Sequence, residues 1–426
     1  PKGTPLNDLK LRASWGKTGS MDGISNWAAM SLVTSGGNSY NGSSGFKIGA
    51  DAADLIWEKA NQVNVGINAE LFNGRLALSV DGYYQKTSGL LYNISTLATT
   101  GYTTRTANIG SLENKGLEVM VSGKIFDGPF KWELATNLSY TKNKLLSLDG
   151  VLDMKINGGG ANTGKVMHAL MVGKPVSAFY MLRQDGIYQT DQEVPSKLYA
   201  KGVRAGDCKY FDYNNDGDIT DDDRMYVGKV TPDIYGGITS TMNWKNFDLS
   251  IFCQFAAGGK ILSAWKGCGG TEGTEHLGLA SSSIKGYKNG TLVDSEQFYN
   301  ISKYAANHYW RGEGTSNTVP RPTLAGTFTG GFGNNLVSTR YLEDASYFKF
   351  KTITLGYSLP HSLLSKIHVT GARIFVSLDN FFTLTKYSGY DPEFSYESNP
   401  TGNSYGADFG EQATLKSFII GASINF

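Results

Sequence analysis

Residues Lys131–Thr141 read KWELATNLSYT. Trp132, Leu134, Leu138 and Tyr140 share one parity, while Lys131, Glu133, Asn137, Ser139 and Thr141 share the other. Side chains of a strand alternate between its two faces, so this period of two predicts a half-buried strand with one apolar side. The pattern recurs. GLEVMVSGK (116–124) sets Leu117, Val119 and Val121 against Glu118, Ser122 and Lys124. NFDLSIFCQF (246–255) gathers Phe247, Leu249, Ile251, Cys253 and Phe255 on its apolar side, and ARIFVSLD (372–379) sets Ala372, Ile374, Val376 and Leu378 against Arg373, Ser377 and Asp379. These runs hold about nine to eleven residues, long for a soluble strand and sufficient to cross a bilayer at a tilt.

Connections alternate in length. Short turns are expected at Asn73-Gly74, at Asp127-Gly128-Pro129, at Trp244-Lys245 and around Pro360 to Ile367. Asn-Gly and Asp-Gly favour hairpins. Between them run long connections, roughly 17–60, 87–113, 143–231, 259–344 and 381–413. Long structureless loops speak against a compact soluble domain, whereas short turns on one side and long loops on the other fit an outer-membrane barrel. Ten spanning strands are expected, beginning near Leu9, Gln62, Leu76, Gly116, Phe130, Asp233, Phe247, Tyr347, Thr370 and Thr414, or twelve if 143–231 hides a hairpin. The final LKSFIIGASINF alternates Phe418, Ile420, Ala422, Ile424 and Phe426.

Composition narrows the class. Lys plus Arg is 39 and Asp plus Glu 38, a balance that gives no pull toward nucleic acid. With 53 Gly, 24 Tyr and 21 Phe, but only 11 Pro, the chain is rich in turns and aromatic strands rather than disordered. Three cysteines without a CxxC make neither a disulfide framework nor a zinc site, so Cys208, Cys253 and Cys268 read as buried or idle thiols. No window holds about eighteen consecutive apolar residues, which excludes a transmembrane helix but not a transmembrane strand. The opening PKGTPLNDLK carries no signal-peptide pattern and reads as the middle of a longer chain.

Five stretches then carry a resemblance: LKLRASWGKTG (Leu9–Gly19), NKGLEVMV (Asn114–Val121), GDCKYFDYNNDGDITDDDRMYVGKVTPDIYGGI (Gly206–Ile238), YLEDASYFKFKTITLGYSLP (Tyr341–Pro360) and LDNFFTLTKYSGYDPE (Leu378–Glu393). In this order and spacing the chain resembles the SusC/RagA family of TonB-dependent outer-membrane transporters of Bacteroidetes. The resemblance implies an all-β fold, the C-terminal half, about 10–12 strands, of a 22-stranded barrel. It implies import of oligosaccharides or peptides across the outer membrane, energised by TonB and shared with a SusD-like surface lipoprotein. It places the N-terminal extension, TonB box and plug outside this chain, and makes 1–426 a partial barrel in which 143–231 is a long extracellular excursion.

That excursion contains DYNNDGDITDDD, residues 212–223. Asp212, Asn214 and Asp216 occupy the first, third and fifth places of a calcium loop, Gly217 the sharp turn, Asp218 the backbone-carbonyl place, and Asp223 the place of the usual bidentate Glu. Clustered oxygens suit Ca²⁺, expected here as a structural ion; a solvated acidic turn is the competing reading. Catalysis is not expected. His168, His276, His308, His361 and His368 fall in no metal spacing, and no GxSxG elbow is present. Loop aromatics such as Tyr102, Trp265, Tyr309, Trp310 and Tyr390 read as interface girdles or loop packing, so no substrate contact is assigned.

Two rivals remain. A siderophore, haem or cobalamin TonB-dependent transporter shares the barrel but lacks the five stretches. A secreted, calcium-dependent β-rich adhesin shares the alternation, with strands of about five or six residues and connections of similar length at both ends.

Overall fold

The computed structural model describes residues 5–21, 27, 30, 33–40, 43–49, 55–95, 104–148, 154–156, 167–268, 278–288, 291–298, 302–321, 323–324, 333–364, 369–396, 398, 403–410, 412 and 414–425. Ten long strands dominate them: β1 (Leu6–Ser20), β2 (Glu58–Leu71), β3 (Leu76–Ser88), β4 (Ser111–Asp127), β5 (Phe130–Ser147), β6 (Ile234–Trp244), β7 (Phe247–Ala257), β8 (Tyr347–Ser358), β9 (Gly371–Thr385) and β10 (Ser417–Asn425). All ten expected strands are present. They fall into two compact units, the first built around residues 1–155 and 236–245, the second around 177–235 and 246–426.

In the first unit the strands run antiparallel in the order β1-β2-β3-β4-β5, each pairing with the next in the chain. Residues 236–244 of β6 lie along β5, with Trp132 Nε1 donating to Ser240 at 3.0 Å and Gly237 N to Asn137 at 2.6 Å. The second unit carries β7-β8-β9-β10 in the same nearest-neighbour manner. Among the described residues β1 has one sheet neighbour, β2, and β10 has one, β9.

Short connections do what their residues allow. Phe72–Arg75 joins β2 to β3 with Phe72, Asn73 and Gly74 all left-handed, at φ 54°, 58° and 75°. Asn and Gly tolerate that region; Phe does not, and it is held there by its amide, which donates to Pro5 O at 2.7 Å. The turn is therefore four residues rather than an isolated Asn-Gly pair. Gly128-Pro129 joins β4 to β5 and Lys245-Asn246 joins β6 to β7. A four-residue helix, His361–Leu364, follows β8 where the sequence suggested a plain turn.

The apolar faces are half-buried to open, as a lipid-facing wall requires: Val119, Val121, Trp132 and Leu134 are half-buried, Leu117 is 44% exposed, and Phe418, Ile420 and Ile424 are more so, Ile420 reaching 67%. Phe426 lies outside the described residues. The opposite face is polar and internally bonded. Arg12 donates to Asp81 and Asn68, the Tyr83 hydroxyl pairs with Thr141 at 2.9 Å, and Asn143 donates to Asn114 at 2.6 Å.

The long connection 143–231 holds no further long strand among its described residues. Its strands, such as Ala178–Met181, Gln184–Ile187 and Met225–Lys229, have three to five residues, too few to cross a bilayer. They build two small cores in the second unit. One gathers Met167, Phe179, Met181, Leu262 and Tyr341; the other Leu182, Tyr188, Leu198, Val203, Cys208 and Ile219.

Candidate functional site

The acidic loop grows out of the second of these cores. Cys208–Tyr210 pairs with Gln184–Ile187, and the chain then turns through residues 211–220 into the single helical turn Asp221–Asp223. Asn215 and Gly217 take left-handed backbone, φ 58° and 78°, which Asn and Gly accept at low cost and which lets successive amides point inward.

Each carboxylate of the motif meets those amides. Asp212 accepts from Gly217 N at 2.7 Å and Asp216 N at 3.2 Å. Asn214 Oδ1 accepts from Asp216 N at 2.9 Å, and Asp216 from Asp218 N at 2.7 Å. Asp223 is fully buried; its oxygens accept from Tyr213 N at 2.9 Å and Thr220 N at 2.7 Å, and Thr220 caps the helical turn in return. Two lysines of the helix Ser196–Ala200 and its end close the arrangement. Lys201 Nζ reaches both oxygens of Asp218 at 2.6 Å, and Lys197 Nζ donates to the Asp216 carbonyl. Hydrogen bonding from Lys201 holds the Asp218 carboxyl below its ordinary value.

The five expected ligand residues thus share one loop, with distinct surroundings. Asp212, Asn214 and Asp216 ring the turn, Asp223 braces it from below, and Asp218 faces Lys201. The donor set is all oxygen, the chemistry Ca²⁺ takes. Among the described residues, no three His, Cys, Asp or Glu side chains stand together as a metal-holding group.

Other expectations resolve plainly. The three cysteines are free and buried. His168 stacks on Phe179 at 4.7 Å, with Nδ1 3.2 Å from Ala178 O, and His308 Nδ1 lies 2.8 Å from Tyr304 O; neither belongs to a catalytic group. Tyr102, His276 and His368 lie outside the described residues, as does the side chain of His361. Trp265 Nε1 donates to Tyr387 and Trp310 Nε1 to Gln189, so both pack loops, whereas Tyr390 stands 79% exposed.

Two clusters escaped the sequence reading. Asp207, fully buried, takes Arg321 in a two-pronged ion pair at 2.8 and 3.0 Å and Asn334 at 3.1 Å, tying together segments more than a hundred residues apart. At the head of β8, Lys349 is 3% exposed and its ammonium donates to Asp391 and Glu393. Glu393 also accepts from Lys351 at 2.8 Å, Tyr347 at 2.7 Å and Gln254 at 3.0 Å, while Thr414 donates to Asp391. Burial pushes both carboxyl groups up, but the lysines and hydroxyls outweigh it and hold both below the ordinary range. Lysines on the polar parity of a strand, followed by GYDPE (389–393), were the available signal; their meeting depends on how the last long loop folds back.

Comparisons with known proteins agree with this architecture. The family model described as TonB dependent receptor-like, beta-barrel, matches residues 4–251. TonB-dependent receptor P3 of Formosa agariphila is 30% identical over 435 residues, covering 99% of this chain and 40% of that protein. TonB-dependent receptor SusC of Bacteroides thetaiotaomicron is 27% identical over 440 residues, covering 99% of this chain and 38% of that protein. The solved structure of the RagAB peptide transporter matches at TM-score 0.73 and 24% identity, over 100% of this chain and 42% of that one. The chain spans about two fifths of the length of the curated relatives it matches. Its fold is all-β, a portion of such a barrel.

Proposed function

The chain belongs to the TonB-dependent receptor-like β-barrel family, and from that premise we propose that it is the C-terminal part of a SusC-type outer-membrane importer of oligosaccharides or peptides, a transport protein and not an enzyme. The observation that carries the proposal is the ten long strands, nine to eighteen residues each, with one open apolar face and one hydrogen-bonded polar face. Lipid suits the first and a water-filled lumen the second. Strands of this length, joined alternately by short turns and long loops, count against the adhesin reading. The five SusC-like stretches favour a SusC-type importer over the siderophore class.

In this reading the long loops face outward, a SusD-like surface lipoprotein caps them, and TonB energises transport through a part of the protein beyond this chain. The apolar strand faces suit lipid, and the outer membrane is where barrels of this kind lie. A Ca²⁺ ion held by Asp212, Asn214 and Asp216, with Asp218 offering its carbonyl and Asp223 supporting the turn, would neutralise the acidic ring and stiffen the loop. The test is uptake of labelled oligosaccharides and peptides too large for general porins by cells carrying the full-length protein. Energy-dependent uptake supports the proposal. Uptake that ignores an uncoupler, or none for either class, sinks it.

A further inference from the structure

The outward faces of β1 to β5 end alike toward the long connections. On each strand the apolar run of outward parity gives way to lysine. Lys17 follows Trp15, Lys86 follows Tyr84, and Lys142 and Lys144 follow Tyr140; Lys115 precedes Leu117, and on β2 the run ending at Val63 passes Asn61 to Lys59. The registers align these ends. Lys17, Asn61, Lys86, Glu113 and Lys144 stand in one row across the sheet, and Lys115 faces Lys142 one step nearer the apolar wall. All six lysines are exposed. Glu113 is the one carboxylate of this parity at this end. It accepts from the Tyr84 hydroxyl at 3.3 Å and lies 3.7 Å from Lys115. Among the described residues no ion pair engages Lys17, Lys59, Lys86, Lys142 or Lys144. The short-turn end differs: its outward parity closes on Leu71, Leu76, Leu134 and Trp132, without a charge.

Trp15, Tyr84 and Tyr140 are the aromatic residues that mark a membrane interface, so the lysines beyond them stand at headgroup level. Lysines that only reach for water would serve equally at both ends of the strands. Here they occupy one end, six against one carboxylate. Like charges directly opposite one another destabilise a sheet, and Lys115 with Lys142 is such a pair; an anion shared between them reverses the sign. At about 4.8 Å per strand the row is about 19 Å wide, more than one phosphodiester fills. We propose that Lys17, Lys59, Lys86, Lys115, Lys142 and Lys144 form a docking surface for the phosphate groups of a phosphorylated glycolipid in the outer leaflet, whose acyl chains lie along the apolar wall. Lysine binds phosphate as a compact charge, through charge-assisted hydrogen bonds. The inference rests on the outer-membrane reading and adds a lipid partner to it.

The experiment titrates the delipidated full-length protein in detergent with labelled bisphosphorylated lipid A, the same lipid stripped of phosphate, and phosphatidylglycerol. The phosphorylated glycolipid should bind saturably and at least tenfold tighter than the other two. The triple variant Lys86→Gln, Lys115→Gln, Lys142→Gln should lose that preference, and the corresponding triple Arg variant should keep it. Lys124→Gln with Lys131→Gln, at the other end of the strands, should leave it unchanged. Unheated migration in detergent gels confirms that each variant remains folded. Equal binding with and without phosphate, equal binding of phosphatidylglycerol, displacement by millimolar inorganic phosphate, or a preference that survives the triple Gln change overturns the surface. Uptake of peptide or glycan by wild-type cells in those cases leaves the importer reading standing without it. Phosphate-dependent binding in a protein that imports neither class sinks the importer reading alone.

Discussion

Arg12 and Asp81 sit on strands that are not neighbours, and their side chains meet across Gly66. The register puts Arg12 opposite Gly66 and Gly66 opposite Asp81, and the guanidinium reaches both carboxylate oxygens, at 2.8 and 2.7 Å. A Cβ on Gly66 would stand 2.1 Å from the Asp81 oxygen. Tyr83 crosses Gly116 to Thr141 in the same way, and Arg373 reaches Asp248 over Gly356. Glycine is required here for the space above it, not for its backbone freedom. Gly66→Leu should therefore cost about 1–3 kcal/mol through overpacking and loss of the pair, more than Asp81→Asn alone. Urea unfolding of the reconstituted full-length protein measures the difference; equal losses would show that the crossing contributes nothing.

Lys349 should be the most sensitive residue of the loop clamp. Lys349→Met removes the one cation that Asp391 and Glu393 share, leaving Asp391 with Thr414 and Glu393 with Lys351, Tyr347 and Gln254. Removing one partner of a buried ion pair typically costs about 3–5 kcal/mol. Protease cleavage within 386–410 should rise sharply while the long strands stay protected. Replacing Lys349, Asp391 and Glu393 together by apolar residues should restore much of the protection.

The same clamp sets an acid limit. Asp391 and Glu393 are held below the ordinary range in the folded protein, so their contribution is fully present above about pH 4–5, where the unfolded carboxyls are ionised, and is lost as pH falls through the folded values. Hydrogen-exchange protection at 389–396, taken relative to the intrinsic amide rate at each pH, should fall below about pH 4 and be flat from pH 6 to 8. A loss of protection on raising the pH would contradict the assignment.

For the acidic loop, chelator should speed proteolysis between Asp212 and Asp223, and Asp212→Ala with Asp216→Ala should abolish the chelator effect. Identical digestion with and without chelator counts against a bound ion. Sidedness is tested at Tyr213, which is 56% exposed with ordinary backbone, unlike left-handed Asn215. A cysteine at 213 should react with an impermeant maleimide on intact cells; labelling only after the outer membrane is opened would reverse the orientation.

β1 and β10 should each gain a second neighbour in the full-length protein, because an unpaired strand edge in lipid leaves amides and carbonyls without partners. Cysteines at Arg12 and Ile419 should not cross-link to each other. If they do, the terminal strands close a small barrel and the importer proposal fails.

The strands were legible because lipid and lumen impose a strict period of two, as in Leu117, Val119 and Val121 against Glu118 and Ser122. Their ends were legible from Asn73-Gly74 and Gly128-Pro129. The clamp was not. Lys349 meets Asp391 and Glu393 only after some forty residues turn back, and no local period encodes that return. Nor does a sequence show that Gly66 lies beneath an ion pair, since the three members come from three strands. The acidic motif gave its residues but not Lys197 and Lys201, which arrive from a preceding helix.

Loop closure entropy grows only with the logarithm of length, about 0.6 kcal/mol for each doubling. The connection between β5 and β6, residues 148–233, therefore weakens the sheet hardly more than one of half its size. Insertions at exposed points of such connections cost little closure entropy, whereas one added residue in Gly128-Pro129 would disturb the β4–β5 pairing. Such a molecule can diversify what it recognises by lengthening and exchanging one set of connections while the wall that carries them stays fixed.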